Sequence, residues 1–107
     1  MTGSIENRAQ QRHDIRLPLT LTYQENNFDA VSRNISLGGL FAELEATIPF
    51  GAVVALRFEL PLLDEPVHVD AHVRWVDPEG GIGVQFQGLR AKVVWALQQL
   101  FTIQSTT

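Results

Sequence analysis

The sequence predicts an all-β fold with a terminal helix: an antiparallel β-barrel of six or seven short strands, capped by a C-terminal α-helix. Three observations predict it. Apolar residues recur with a period of two in successive short runs, turn-forming residues separate those runs, and from Leu89 the period lengthens to that of a helix. Short strands spaced by turns close into barrels or sandwiches, and one amphipathic helix then covers an opening or a face.

Residues 1–11, MTGSIENRAQQ, carry Ile5 as their main apolar side chain and read as a flexible N-terminal arm ahead of a barrel domain at 12–107. Leu17, Leu19, Leu21 and Tyr23 alternate with Pro18, Thr20 and Thr22, a first strand with proline at its start. Phe28 to Ile35 forms a second run, Ser36-Leu37-Gly38-Gly39 a turn, and Leu40 to Leu44 a third strand. Ile48-Pro49-Phe50-Gly51 turns the chain again. In the next run Val54, Leu56, Phe58 and Leu60 face one way and Arg57 and Glu59 the other.

After a loop holding Pro61 and Pro66, Val67, Val69, Ala71, Val73 and Trp75 alternate with His68, Asp70, His72 and Arg74, which places Trp75 with the core valines. Asp77-Pro78-Glu79-Gly80-Gly81 supplies a turn before Ile82, Val84 and Phe86. At about 100° per residue, Leu89, Val93, Ala96, Leu97, Leu100 and Phe101 gather on one side of a helix spanning about 89–103. Trp95 falls about 200° from Val93, beside Ala91, Gln98 and Thr102 on the polar side. An exposed indole there suits a dimer or effector contact, or packing onto a neighbouring loop.

A chain of 107 residues fits one domain and buries roughly 60 to 70% of its unfolded surface. It has no cysteine, so disulfides, thiol nucleophiles and sulfur-ligated zinc are excluded, and a reducing cytoplasm suits it best. No apolar run approaches the roughly 18 residues of a membrane span, and the N-terminus lacks a signal-like apolar core, so no membrane insertion is expected. The net charge of −4 argues against a DNA or RNA coat, because such affinity comes from many cations displacing counterions. Arg8, Arg12 and Arg16 nevertheless place three of the eight basic residues within the first sixteen positions. A small anion suits that segment.

Catalytic signatures are missing: there is no G-x-S-x-G, no P-loop and no H-E-x-x-H. On a strand His68 and His72 stand roughly 13 Å apart, too far for one ion, and with Asp70 they read as a solvated strand face. Glu43 and Glu45 form a same-face carboxylate pair, but acid-base work also needs a cleft. No catalytic, metal or cofactor site is expected. Two motifs stand out instead. Arg12-His13-Asp14-Ile15-Arg16 is an R-x-x-x-R where the arm meets the first strand, and Asn34-Ile35-Ser36-Leu37-Gly38-Gly39 is an N-x-S-x-x-G at the turn after the second.

In this order, flanking the first strands of a small barrel and joined by the later Gly81-Ile82-Gly83-Val84-Gln85-Phe86 run, these motifs resemble the PilZ family of cyclic di-GMP receptors. The resemblance covers nearly the whole chain. It implies a cyclic di-GMP receptor or adaptor in which Arg12 and Arg16 clamp phosphate or the guanine O6 and N7 edge, since a planar guanidinium bonds either bidentately. It implies that Asn34 accepts from the guanine donor edge, that Ser36 bonds guanine or phosphate, that Gly38 lets the backbone approach or take a positive φ, and that Gly39 also belongs to the site. The arm would then close over the ligand and signal to an effector protein, with Gln11, Arg8 and an indole at Trp75 as secondary contacts.

Gln11 stands where many members carry another arginine, which leans toward one ligand per chain in a monomer or weak dimer. Asp14, inside the motif, is placed to repel phosphate or neutralise an arginine. The alternative is a PilZ-type adaptor of pilus or motility machinery that acts by protein contact without a ligand. An oligonucleotide-binding barrel would need aromatic and basic strand faces, whereas the outward columns here are mixed in sign. Family members often carry Asp at the position of Asn34, and a carboxylate offers two acceptors to the guanine N1-H and N2-H. Asn34→Asp is therefore expected to keep or raise affinity for cyclic di-GMP in calorimetry; abolished binding would contradict the role given to Asn34.

Overall fold

The computed structural model describes residues 11–105. Among these the chain forms six strands, β1 (Pro18–Tyr23), β2 (Asn26–Ile35), β3 (Gly39–Glu43), β4 (Val53–Phe58), β5 (Val67–Val76) and β6 (Ile82–Phe86), followed by one helix, α1 (Ala91–Ser105). All neighbouring strands pair antiparallel in the order β1-β2-β3-β6-β5-β4, and β1 pairs with both β2 and β4. The sheet is thus a closed barrel with no free edge.

Register explains the core. Leu19 sits opposite Ala30 and Phe58, Leu56 opposite Leu21 and Val69, and Val84 opposite Leu40 and Val73, so the inward residues meet in rows around the barrel. These side chains form one buried cluster, which also takes Val93, Ala96, Leu97, Leu100 and Phe101 from α1. The helix runs two residues later than the expected 89–103, so Leu89 precedes it and packs partly buried against the core. The rest of the stripe that the sequence assigns lies on α1, and Trp95 on its far side is half exposed.

Three further details differ from the sequence reading. β2 starts at Asn26 because the β1–β2 hairpin turns on two residues, Gln24 and Glu25, at φ of 51° and 68°. Mirror-image turns of this kind match strand twist but favour Asn-Gly. Second, β2 slips register between Ser32 and Asn34, so that Ser32 opposes Ala42 and Asn34 opposes Phe41, with Arg33 as the extra residue. Third, β5 slips between Val73 and Trp75, where Trp75 opposes Gly83. That bulge turns Trp75 out of the core: it is 60% exposed, against the burial that strict alternation implies. An extra residue reverses the phase of everything after it.

Positive φ costs a residue with a Cβ roughly 1 kcal/mol. The double substitution Gln24→Asn, Glu25→Gly should therefore raise stability by about 1 kcal/mol, read by thermal or urea unfolding. An unchanged midpoint would mean that the turn holds no such strain.

Candidate functional site

The segment before β1 is bound along β2. His13 exchanges both backbone hydrogen bonds with Ile35, at 2.9 Å each. Farther on, the Ser32 N–H donates to the Leu17 carbonyl at 2.9 Å. The Ser32 hydroxyl donates to the Ile15 carbonyl at 2.6 Å and accepts from the Leu17 N–H at 2.8 Å. Ser32 is fully buried, and both partners of its hydroxyl lie in this segment. Ile15 enters the core, whereas Arg12, Asp14 and Arg16 are exposed. The His13 ring stacks on Phe101 of α1, with centroids 4.0 Å apart and planes within 9°.

This docking brings the two motifs together. Arg12 Nη1 donates to Asn34 Oδ1 at 2.7 Å, across 22 residues of sequence. Arg16 Nη2 donates to Glu43 Oε1 at 2.9 Å, and the second oxygen of Glu43 accepts from Arg33 Nε at 2.8 Å. The Arg33 guanidinium carbon in turn lies 4.4 Å from the centroid of the Phe41 ring, a cation–π contact. Among the described residues Asp14 makes no ion pair; the carboxylate that neutralises an arginine of the motif is Glu43.

The two bulges set the rest of the outer wall. Asn34 opposes Phe41, Phe41 opposes Gly83, and Gly83 opposes Trp75, so these four lie in one row across β2, β3, β6 and β5. Three strand steps carry this row over about 14 Å. Phe41 lies on the outside yet is only 9% exposed. It is covered by Arg33 and seated against Gly81, where a Cβ would meet the ring at 2.6 Å. A guanidinium, an amide, an aromatic floor and an exposed indole are thereby arranged on one face.

The Ser36 bend is self-contained. The Ser36 hydroxyl accepts from the Gly38 and Gly39 N–H groups at 3.1 and 3.2 Å and reaches the Gly39 carbonyl at 3.3 Å. Only 3% of Ser36 is exposed. The close approach that the sequence suggests at Gly38 occurs at Gly39, where a Cβ would stand 2.0 Å from the Val84 carbonyl oxygen. Gln11 is exposed, and Arg8 lies outside the described residues. Residues 1–10 of the expected arm lie outside them as well.

A cavity of about 1020 Å³ opens beside the ion pairs, reaching Arg33 and Glu43 but not Arg12, Asn34 or Trp75. Asp29, Glu45, Glu59 and Glu79 line the rest of it against Arg57, a balance of charge that disfavours an anion away from Arg33. Among the described residues no three His, Asp or Glu side chains converge as a metal site. No helix there is long and apolar enough to cross a membrane.

Hydrogen bonds from Arg16 and then Arg33 hold the Glu43 carboxyl below its ordinary value of 4.5. A depressed carboxylate pKa makes the bridge fully present above the ordinary value and loses it only as the pH falls through the lower, folded one. The Arg16–Glu43–Arg33 bridge is therefore intact at neutral pH. Sequence reasoning missed Ser32 and Arg33. The available signal was phase: Ser32 and Ile35 both face inward although three residues apart, which strict alternation forbids.

A family model described as PilZ domain matches residues 6–102. Among solved structures, the Bacillus subtilis inhibitor of motility (MotI/DgrA) superposes with a TM-score of 0.73 at 23% identity, covering 89% of this chain and 49% of that one. The present chain thus spans about half the length of that relative. The PilZ domain of CeSA from a cellulose-synthesizing bacterium superposes with a TM-score of 0.65 at 14% identity, covering 86% of this chain and 95% of that one. No curated protein matches.

Ser32→Ala removes the hydroxyl that joins the arginine segment to the barrel and leaves the Ile15 carbonyl and Leu17 N–H without it. The expected loss is about 1–3 kcal/mol in urea unfolding, with faster amide exchange from His13 to Leu17 than in β4 and β5. Wild-type exchange in that segment would show that Ser32 does not hold it.

Proposed function

The chain belongs to the PilZ domain family, and on that premise we propose that it is a receptor or adaptor for cyclic di-GMP, with no catalytic step of its own. The observation that carries the reading is the Arg12–Asn34 hydrogen bond, which joins the R-x-x-x-R and N-x-S-x-x-G motifs at one place on the barrel wall.

In this reading Arg12 and Arg16 clamp a phosphate or the O6 and N7 edge of a guanine through charge-assisted bonds. Asn34 turns its amide oxygen from Arg12 to the N1-H and N2-H donors of a guanine. Gly38 and Gly39 bring backbone close to the ligand, and Ser36 holds their bend in shape. Trp75, at the far end of the row from Asn34, offers its exposed face for stacking on a base. Gln11 and Arg8 draw the N-terminal arm over the bound nucleotide, so that part of the gross binding energy offsets the cost of ordering it.

The signal then passes through His13. Its ring stacks on Phe101, so a change at Arg12 bears directly on α1, whose exposed Trp95 is the surface offered to an effector protein. A second reading, an adaptor acting by protein contact alone, is favoured by two of the same facts. Arg16 is already paired with Glu43, and the Ser36 hydroxyl is already bonded within its own bend.

Calorimetry separates the two readings. Cyclic di-GMP should give saturable heat and cyclic di-AMP none, with Arg12→Ala and Arg16→Ala each weakening affinity about ten- to a hundredfold. Absence of heat with the wild type, or equal affinity in both variants, would assign the chain to the adaptor class.

A further inference from the structure

The ion pairs at Glu43 have a geometry that an ordinary surface salt bridge does not need. One carboxylate divides its two oxygens between two arginines from different parts of the chain: Oε1 takes Arg16 Nη2 at 2.9 Å and Oε2 takes Arg33 Nε at 2.8 Å. Arg33 is fixed on its other side by the Phe41 ring, so its fork is aimed before any ligand arrives. Two oxygens on one carbon, each accepting from a separate guanidinium, reproduce what two oxygens on one phosphorus would do in the same place. All three side chains remain reachable from solvent, at 59% for Arg16, 47% for Arg33 and 36% for Glu43.

We propose that Glu43 stands in for a ligand phosphate in the free protein, competing with it for Arg16, and that Arg33 is a second arginine of that same phosphate site. The proposal rests on the cyclic di-GMP reading above and adds to it an affinity-setting residue and a ligand residue outside both motifs. Binding proceeds by exchange. A phosphate takes over the Arg16 and Arg33 donors, and the Glu43 carboxylate turns out to water, where its hydration offsets part of the two lost bonds. Because exposed ion pairs contribute little, the competitor is weak enough to be displaced and strong enough to be measured. At neutral pH it remains charged, so this competition is set by sequence rather than by acidity.

Titration of the full chain with cyclic di-GMP tests this. Glu43→Gln and Glu43→Ala should each tighten binding about three- to fivefold. Glu45→Gln makes the same change in net charge at a side chain that, among the described residues, pairs with no arginine, and should change affinity less than about twofold. Arg33→Ala should weaken binding about tenfold or more; if that variant unfolds, Arg33→Lys, which keeps the charge but loses the fork, should show a partial loss. A wild type that binds while Glu43→Gln binds equally or more weakly overturns the proposal alone, since Glu43 would then be orienting Arg16 for the ligand. An equal gain in Glu45→Gln also overturns it, as would wild-type affinity in the Arg33 variants. Heat from neither wild type nor Glu43→Gln overturns the ligand reading and this proposal together.

Discussion

Much of this structure depends on one extra residue in β2. Ser32 and Ile35 both face the core, and an uninterrupted strand cannot turn two residues an odd number apart to the same side. Inserting Arg33 as a bulge resolves the conflict. It leaves Ser32 inside, where its hydroxyl fastens the Ile15–Leu17 backbone, and it puts Arg33 and Asn34 together on the outside. Without the bulge Asn34 would turn inward, Arg12 would lose its partner and Ile35 would turn out of the core.

A second bulge in β5 does the same for Trp75, and the two act in concert. Their shared row runs from Asn34 through Phe41 and Gly83 to Trp75, with the arginine segment along one end. A barrel wall is ordinarily a uniform alternation of inward apolar and outward polar residues. Each bulge interrupts that alternation and delivers consecutive residues to the outside, which concentrates functional groups without opening the core. The packed interior is unaffected: the row lies outside the cluster that strands and helix share.

The fold was legible in the residues because alternation, turn chemistry and the change of period at the helix all act locally. Six runs of apolar residues became six strands, and the predicted helical stripe became the buried face of α1. The bulges were not legible by the same rule. Trp75 continues the phase of Val67 to Val73 so smoothly that alternation assigns it to the core, and only pairing with β6 reveals the slip. The motifs were visible as residue types, but their contacts were not. Asp14 was the carboxylate near the arginines in sequence, whereas Glu43, 27 positions from Arg16, is the one that reaches it in space. Ser32 looks like any strand serine until the segment that needs its hydroxyl is folded against it.

Electrostatics here is a matter of placement. The chain as a whole is acidic by four charges, and the charged residues lining the cavity beside the ion pairs are mostly carboxylates. Long polyanions are thereby disfavoured, while Arg12, Arg16 and Arg33 keep a small positive area beside that cavity. Within that area the arginines are not left bare. Asn34 occupies one, Glu43 bridges the other two, and Phe41 fixes the plane of the third. Guanidinium groups held this way have already lost much of their rotamer freedom, so a ligand that replaces the amide and the carboxylate need not order them anew. In the proposed exchange the same contacts would weaken binding by competition and strengthen it by preorganisation, and the balance between the two would depend on how closely the ligand copies the bonds it displaces.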